Sequence, residues 1–123
     1  MFISIGSLAV YVSDLARAKK FYTEILGFEI SADLGPNLCF LKSKTGKIYI
    51  YLEGGKKASS VEIETCRLSF FLEAEKSISE TYTLLKKAEV KLLQSAPEPV
   101  ADDTACFQFQ DPDGNIIEVS GKL

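Results

Sequence analysis

Leu8-Ala9-Val10-Tyr11-Val12 opens a pattern that the chain states twice, and the second statement decides the fold. A shift of 60 residues lays this segment on Leu68-Ser69-Phe70-Phe71-Leu72, Tyr22-Thr23 on Tyr82-Thr83, Ile25 on Leu85 and Glu29-Ile30 on Glu89-Val90. A shift of 68 lays Gly46-Lys47-Ile48 on Gly114-Asn115-Ile116, so the second copy carries a few extra loop residues. Self-similarity at a fixed period marks a fold assembled from one repeated unit.

Outward from that segment, residues 5–12 read as a strand rich in Val, Leu and Tyr, followed by Ser13-Asp14, both good helix caps. Leu15, Ala18, Phe21, Tyr22, Ile25 and Leu26 recur at helical spacing, and Gly27 supplies the stop. Residues 29–34, 37–42 and 47–53 follow as short strands, divided by the turn signals Gly35-Pro36 and Thr45-Gly46. Residues 54–64, opening Gly54-Gly55-Lys56-Lys57, read as a linker, without the spacing of a phosphate-binding loop.

The second copy repeats the order, with a strand at 65–72 and a helix opened by the capping box Ser77-Ile78-Ser79-Glu80. Ile78, Tyr82, Leu85 and Ala88 form its apolar stripe. Strands follow near 90–93, 105–110 and 116–120, with Pro97 and Pro99 in the loop before the second of them. The expectation is one α+β domain over 1–123, made of module 1–53, linker 54–64 and module 65–123. Each module reads βαβββ, and since neither buries its sheet face alone, the two form a curved mixed sheet around a cavity with helices outside.

Composition narrows the function. A chain of 123 residues with 46% hydrophobic and 25% charged residues is an ordinary globular domain. A net charge of -3 with scattered Lys and Arg offers no basic stripe, so nucleic acid is not expected as a partner. No apolar run reaches the roughly 18 residues of a membrane span, and the start lacks the charged head and cleavage site of a signal peptide; a soluble cytoplasmic protein is expected. Cys39, Cys66 and Cys106 are odd in number, far apart and without CxxC spacing, which suits reduced thiols.

Strand parity separates a core face from a site face. One parity holds Leu8, Val10, Val12, Tyr49, Tyr51, Leu68, Phe70, Leu72, Ile117 and Val119, nearly all apolar, and is expected to meet the helices. The other holds Ser7, Ala9, Tyr11, Ile48, Ile50, Leu52, Arg67, Ser69, Phe71, Ile116, Glu118 and Ser120, a mixture suited to a pocket wall.

Two stretches carry a family resemblance: Tyr11-Val12-Ser13-Asp14-Leu15 followed by residues 21–28, Phe-Tyr-Thr-Glu-Ile-Leu-Gly-Phe, and the ending Asp111-Pro112-Asp113-Gly114-Asn115-Ile116-Ile117-Glu118-Val119. With the doubling, the chain resembles the vicinal oxygen chelate superfamily of glyoxalases, extradiol dioxygenases and bleomycin-resistance proteins. Metal-dependent members place His or Gln on the first strand of each copy and a carboxylate on the last. The matching positions here are Ser7, Arg67, Ile50 and Glu118, so one of four ligands remains, and the chain has no His. No functional metal and no cofactor are expected.

Arg67 and Glu118 then admit two readings: a guanidinium fork held by Glu118 that binds a carboxylate or phosphate, or a structural ion pair. Ser7, Tyr11, Ile50, Arg67, Phe71 and Glu118 are the candidate ligand-binding residues. Acidic pairs Asp102-Asp103 and Asp111-Asp113 read as solvated turn residues, and Cys106 lacks a His to activate it. The resemblance implies a small-molecule binding protein like the bleomycin-resistance proteins, sequestering a planar or anionic ligand without metal, as a homodimer. The alternative is a metal-independent enzyme, a lyase, isomerase or dioxygenase-like protein, with Glu118 as catalytic acid or base.

Overall fold

A computed structural model describes residues 1, 6–56 and 70–123, and the chain divides into two compact units, Met1–Ser59 and Ser60–Leu123. In the first, β1 (Leu8–Tyr11) leads through α1 (Leu15–Lys20) and a π-helical turn (Phe21–Ile25) to β2 (Glu29–Asp33), β3 (Leu38–Lys42) and β4 (Tyr49–Glu53). The strands lie in the order β1-β4-β3-β2, with β1 parallel to β4 and the other pairs antiparallel. Asp14 caps α1 by accepting the Arg17 N–H at 3.1 Å, as its position before the apolar repeat implies. The helix ends where the Leu26 N–H bonds to the Phe21 carbonyl and Gly27 takes φ 82, a conformation open to a residue without Cβ.

The helical segment buries Leu15, Ala18, Phe21 and Tyr22, and the sheet buries Val10, Cys39, Leu41, Ile50 and Leu52. Tyr22 is fully enclosed, with Phe21 and Phe28 edge-on at ring-centroid distances of 5.5 and 6.1 Å. Burying each large apolar side chain of this kind contributes about 1.5–3 kcal/mol, which ties the helix to one face of the sheet.

The second unit runs β5 (Phe70–Glu73), α2 (Ile78–Lys87), β6 (Lys91–Leu92), β7 (Glu98–Ala101), β8 (Thr104–Gln110) and β9 (Ile116–Lys122). Its strand order is β5-β9-β8-β6, with β7 on the same edge of β8 beyond β6, and β5 is parallel to β9 as β1 is to β4. The core holds Ile78 and Leu85 from α2 with Ala105, Phe107, Phe109, Ile117 and Val119 from the sheet. Both units thus follow the expected βαβββ order in an α+β fold, the second with an added strand.

Three expectations change. The loop with Pro97 and Pro99 contains β7, which pairs with β8 alone and shifts register between Pro99 and Ala101. An edge strand with a bulge is where a residue lacking an N–H is tolerated. The capping box of α2 is half made: Ser77 Oγ accepts the Glu80 N–H at 3.3 Å, but the Glu80 carboxylate takes Lys76 Nζ at 3.0 Å.

The third change concerns parity in β4. Leu8 lies opposite Ile50 and Val10 opposite Leu52, and Ile50 and Leu52 are fully buried, while Tyr49 is exposed and Tyr51 half-buried. Tyr49 and Tyr51 therefore leave the core face, and Ile50 leaves the site face. The error lies in the shift of 68, an even number that laid Ile50 on Glu118; matching buried Ile50 to buried Ile117 or Val119 requires an odd shift.

Candidate functional site

The sheet face of the second unit that does not carry the core presents Phe71, Glu118, Ser120, Cys106 and Gln108. Phe71 lies opposite Glu118 on β5–β9, and Glu118 opposite Gln108 and Ser120 opposite Cys106 on β8–β9. Phe71 is 61% exposed, an unusual exposure for a large apolar ring on a paired strand. Glu118, Ser120, Cys106 and Gln108 are half-buried, alternating with the enclosed Ile117, Val119, Phe107 and Phe109.

Glu118 is held by a relay of amides. The Gln108 N–H donates to Gln94 Oε1 at 2.7 Å, Gln94 Nε2 donates to Gln108 Oε1 at 3.3 Å, and Gln108 Nε2 donates to Glu118 Oε2 at 3.0 Å. Gln94 is itself fixed from α2, since the Tyr82 hydroxyl donates to its carbonyl at 2.9 Å. The Tyr82 ring stands edge-on to Phe107 at 5.1 Å, so the relay is anchored in the core.

The turn before β9 sets where Glu118 falls. Asp111 is buried at 4% exposure, and its Oδ1 accepts the N–H groups of Asp113 and Asn115 at 2.9 and 2.8 Å while Oδ2 accepts Asn115 Nδ2 at 2.7 Å. Asp111 is thus the organiser of the turn and not a solvated turn residue, contrary to expectation. Gly114, at φ 83, closes the turn where an L side chain would be strained.

Burial first, then the carboxylates of Glu118 and Glu98, push the Cys106 thiol up from its ordinary pKa. A raised pKa keeps the group a thiol, the opposite of what a nucleophile or thiolate ligand needs. Cys39, fully buried, is pushed up chiefly by desolvation.

In the first unit the corresponding face holds Ser7, Ala9, Tyr11, Phe40, Tyr51 and Glu53. Tyr11 is 56% exposed and lies opposite Glu53, and Lys56 Nζ sits 5.7 Å from the Tyr11 ring centre and 3.4 Å from Glu53 Oε1. Phe40 and Tyr51 are cross-strand partners with ring centres 5.2 Å apart. The Ser7 hydroxyl donates to the Tyr49 carbonyl at 3.2 Å. With Tyr11 matched to Phe71, Glu53 takes the register position of Glu118.

Of the expected site residues, the structure puts Phe71 beside Glu118 on one sheet and Ser7 and Tyr11 on the other. Ile50 is sealed in the core, at 0% exposure. Arg67 lies outside the described residues, as does Cys66, so the Arg67–Glu118 pair stays an expectation. Sequence reading missed Gln94, Gln108 and Glu53, and gave Tyr51 to the core face. Correct parity in β4 would have found Tyr51 and Glu53, and Gln108 shares the parity of Cys106, but Gln94 reaches the site from an irregular segment and left no sequence signal.

Metal chemistry in this fold would need several converging donors. Among the described residues no three His, Cys, Asp or Glu side chains cluster as a set able to hold a metal ion. The described neighbours of Glu118 are an amide on one oxygen, a ring and a thiol with a raised pKa, which do not make a donor set for a divalent ion.

Comparison with known proteins agrees with the architecture. The chain is 37% identical over 124 residues to the Uncharacterized protein YetH of Bacillus subtilis (strain 168), covering 95% of this chain and 97% of that protein. It is 26% identical over 120 residues to the Metallothiol transferase FosB of Staphylococcus haemolyticus, covering 97% of this chain and 84% of that one. The crystal structure of lactoylglutathione lyase from Agrobacterium tumefaciens superposes with a TM-score of 0.72 at 22% identity, over 96% of this chain and 92% of the other. Residues 4–119 match the family described as Glyoxalase/Bleomycin resistance protein/Dioxygenase superfamily, and with the paired βαβ units and the last-strand carboxylate this chain belongs to that superfamily.

Proposed function

We propose that this protein binds a planar small molecule on its open sheet faces, without a metal ion. The observation that carries this reading is the setting of Glu118: an exposed ring, Phe71, on one neighbouring strand and a donating amide, Gln108, on the other. Rings offer stacking area at low entropic cost, and an oriented carboxylate fixes a ligand's direction. The exposed Tyr11 and the Phe40–Tyr51 pair give the first unit a face of the same character. The expected anionic ligand depended on Arg67 and gains no support from the described residues.

The same proposal takes the protein to be a cytoplasmic homodimer; no helix among the described residues is long and apolar enough to cross a membrane. Light scattering on the purified chain tests the dimer, and a mass of one subunit at all concentrations rules it out.

Metal content and ligand response test the core of the reading together. Protein purified without chelator is expected to carry less than one equivalent of any divalent metal, and planar compounds are expected to raise its melting temperature in a manner lost in Phe71→Ala. One equivalent of zinc, nickel, iron or manganese that disappears in Glu118→Gln overturns the proposal. Turnover of a bound compound by wild type and not by Glu118→Gln would replace it with an enzyme using Glu118 as acid or base.

A further inference from the structure

The relay behind Glu118 has a direction that its atoms dictate. A backbone N–H can only donate, so the Gln94 atom facing the Gln108 N–H must be Oε1. That leaves Gln94 Nε2 to meet Gln108 Oε1, and so Gln108 must turn Nε2 toward Glu118. Each amide orientation follows from the one before it, and none can flip alone without setting donor against donor or acceptor against acceptor. Glu118 Oε2 is therefore held as an acceptor. Among the described residues Oε1 receives no hydrogen bond, so the face retains an acceptor of fixed orientation.

Among the described residues of that face, the one charged side chain on a strand adjacent to β9 is a second carboxylate. Glu73 lies opposite Ser120 and Glu98 opposite Cys106, so both share the side of the sheet that bears Glu118. Two described cations share that parity in the sheet: Lys91, opposite Gln110 on β6, and Lys122, the last residue of β9, at opposite ends of the face. Beside the carboxylate stands the exposed Phe71 ring, whose face attracts positive charge.

We infer that the open face of the second unit selects a planar organic cation, an amidinium, guanidinium or protonated heteroaromatic amine, whose ring lies over Phe71 and whose N–H groups bond to Glu118. The inference rests on the binding reading above and adds the ligand's charge and its donor character. Such a ligand supplies what the described residues do not, a donor for the second carboxylate oxygen. A carboxylate or phosphate ligand would instead meet acceptors and like charge.

Benzamidine, benzamide and benzoate test it, being of one size and shape with charges of opposite sign and zero. Each is titrated into the full chain while backbone amide resonances are followed by NMR. Benzamidine is expected to shift resonances around Phe71, Gln108 and Glu118, with a dissociation constant about tenfold or more below that of benzoate. Glu118→Gln, checked for an unchanged fold by the dispersion of its spectrum, is expected to weaken benzamidine to the level of benzamide. Benzoate binding as tightly as benzamidine overturns the inference, as does Glu118→Gln leaving benzamidine affinity unchanged. If all three bind alike and Phe71→Ala abolishes them alike, planar-ligand binding stands and cation selectivity falls. If none perturbs either unit, planar-ligand binding falls as well.

Discussion

Gln108 stands directly opposite Glu118 in the β8–β9 ladder, and its side-chain Nε2 donates to Glu118 Oε2 at 3.0 Å. Because Gln108 is in turn held by Gln94 through two hydrogen bonds, three side chains behave as one unit. Gln108→Leu removes the donor to Glu118 Oε2 and the acceptor of Gln94 Nε2 in a half-buried setting, while the backbone N–H of residue 108 still donates to Gln94 Oε1. A loss of about 1–3 kcal/mol in urea denaturation is expected, as for other hydrogen bonds to a charged group. Adding Gln94→Leu to it should cost less than the sum of the two single changes, since both cut the same relay. Full additivity would mean that the amides act independently.

A second prediction concerns where β9 passes α2. A Cβ placed on Gly121 would lie 2.9 Å from Ala74 Cβ and 3.6 Å from Ile78 Cβ, atoms bonded directly to backbone and unable to swing aside. Gly121→Ala should therefore separate the strand from the helix and cost about 1–3 kcal/mol by overpacking. Gly6→Ala, where nothing lies within 4 Å, serves as a control with little effect. A melting temperature for Gly121→Ala equal to that of wild type would refute the close approach.

The limits of sequence reading follow from the same geometry. The doubling, the order of elements along the chain and the cap at Asp14 were legible because each depends on spacing along the sequence. The face of β4 was not, since loop lengths differ between the copies and a period-2 pattern inverts with a single residue of slip. Tyr49, Ile50 and Tyr51 are all apolar enough for either face, so composition could not correct the shift. Asp111 read as an exposed turn acid because its four-residue hydrogen-bonded loop is recognisable only once the backbone folds around it. Gln94 is the hardest case: it contributes through a contact fourteen residues along the chain, from a segment with no period of its own.

A third prediction uses the end of α2. Glu89 follows the helix with φ 59, in the left-handed region that residues with a Cβ rarely adopt, whereas the first unit places Gly27 at φ 82 after its helix. Glu89→Gly should relieve that strain and raise stability by about 1 kcal/mol, the cost of a left-handed residue less the entropy that glycine adds to the unfolded chain. Glu89→Val, with a branched Cβ, should lower it. Thermal melts of the two variants against wild type check the sign, and destabilisation by glycine would show that the Glu89 side chain contributes more than its backbone strain removes.

The fourth prediction concerns pH. Burial, then Glu118, then Glu98, hold the Cys106 thiol above its ordinary pKa. A group that is neutral when protonated and whose pKa rises on folding favours the folded state below its unfolded pKa. That contribution fades as pH climbs through the folded value. Alkylation of folded protein by iodoacetamide, with Cys106 followed by peptide mass spectrometry, should therefore be slow near neutrality. It should accelerate only at a pH above that at which the unfolded chain reacts. Glu98→Gln removes one of the two named charges while leaving the Gln108–Glu118 bond in place, and should move the profile to lower pH. Cys39, fully buried, should stay unlabelled throughout and so report that the chain remains folded. A Cys106 profile that coincides with that of the unfolded chain would mean that the carboxylates and burial around it do not act on the thiol.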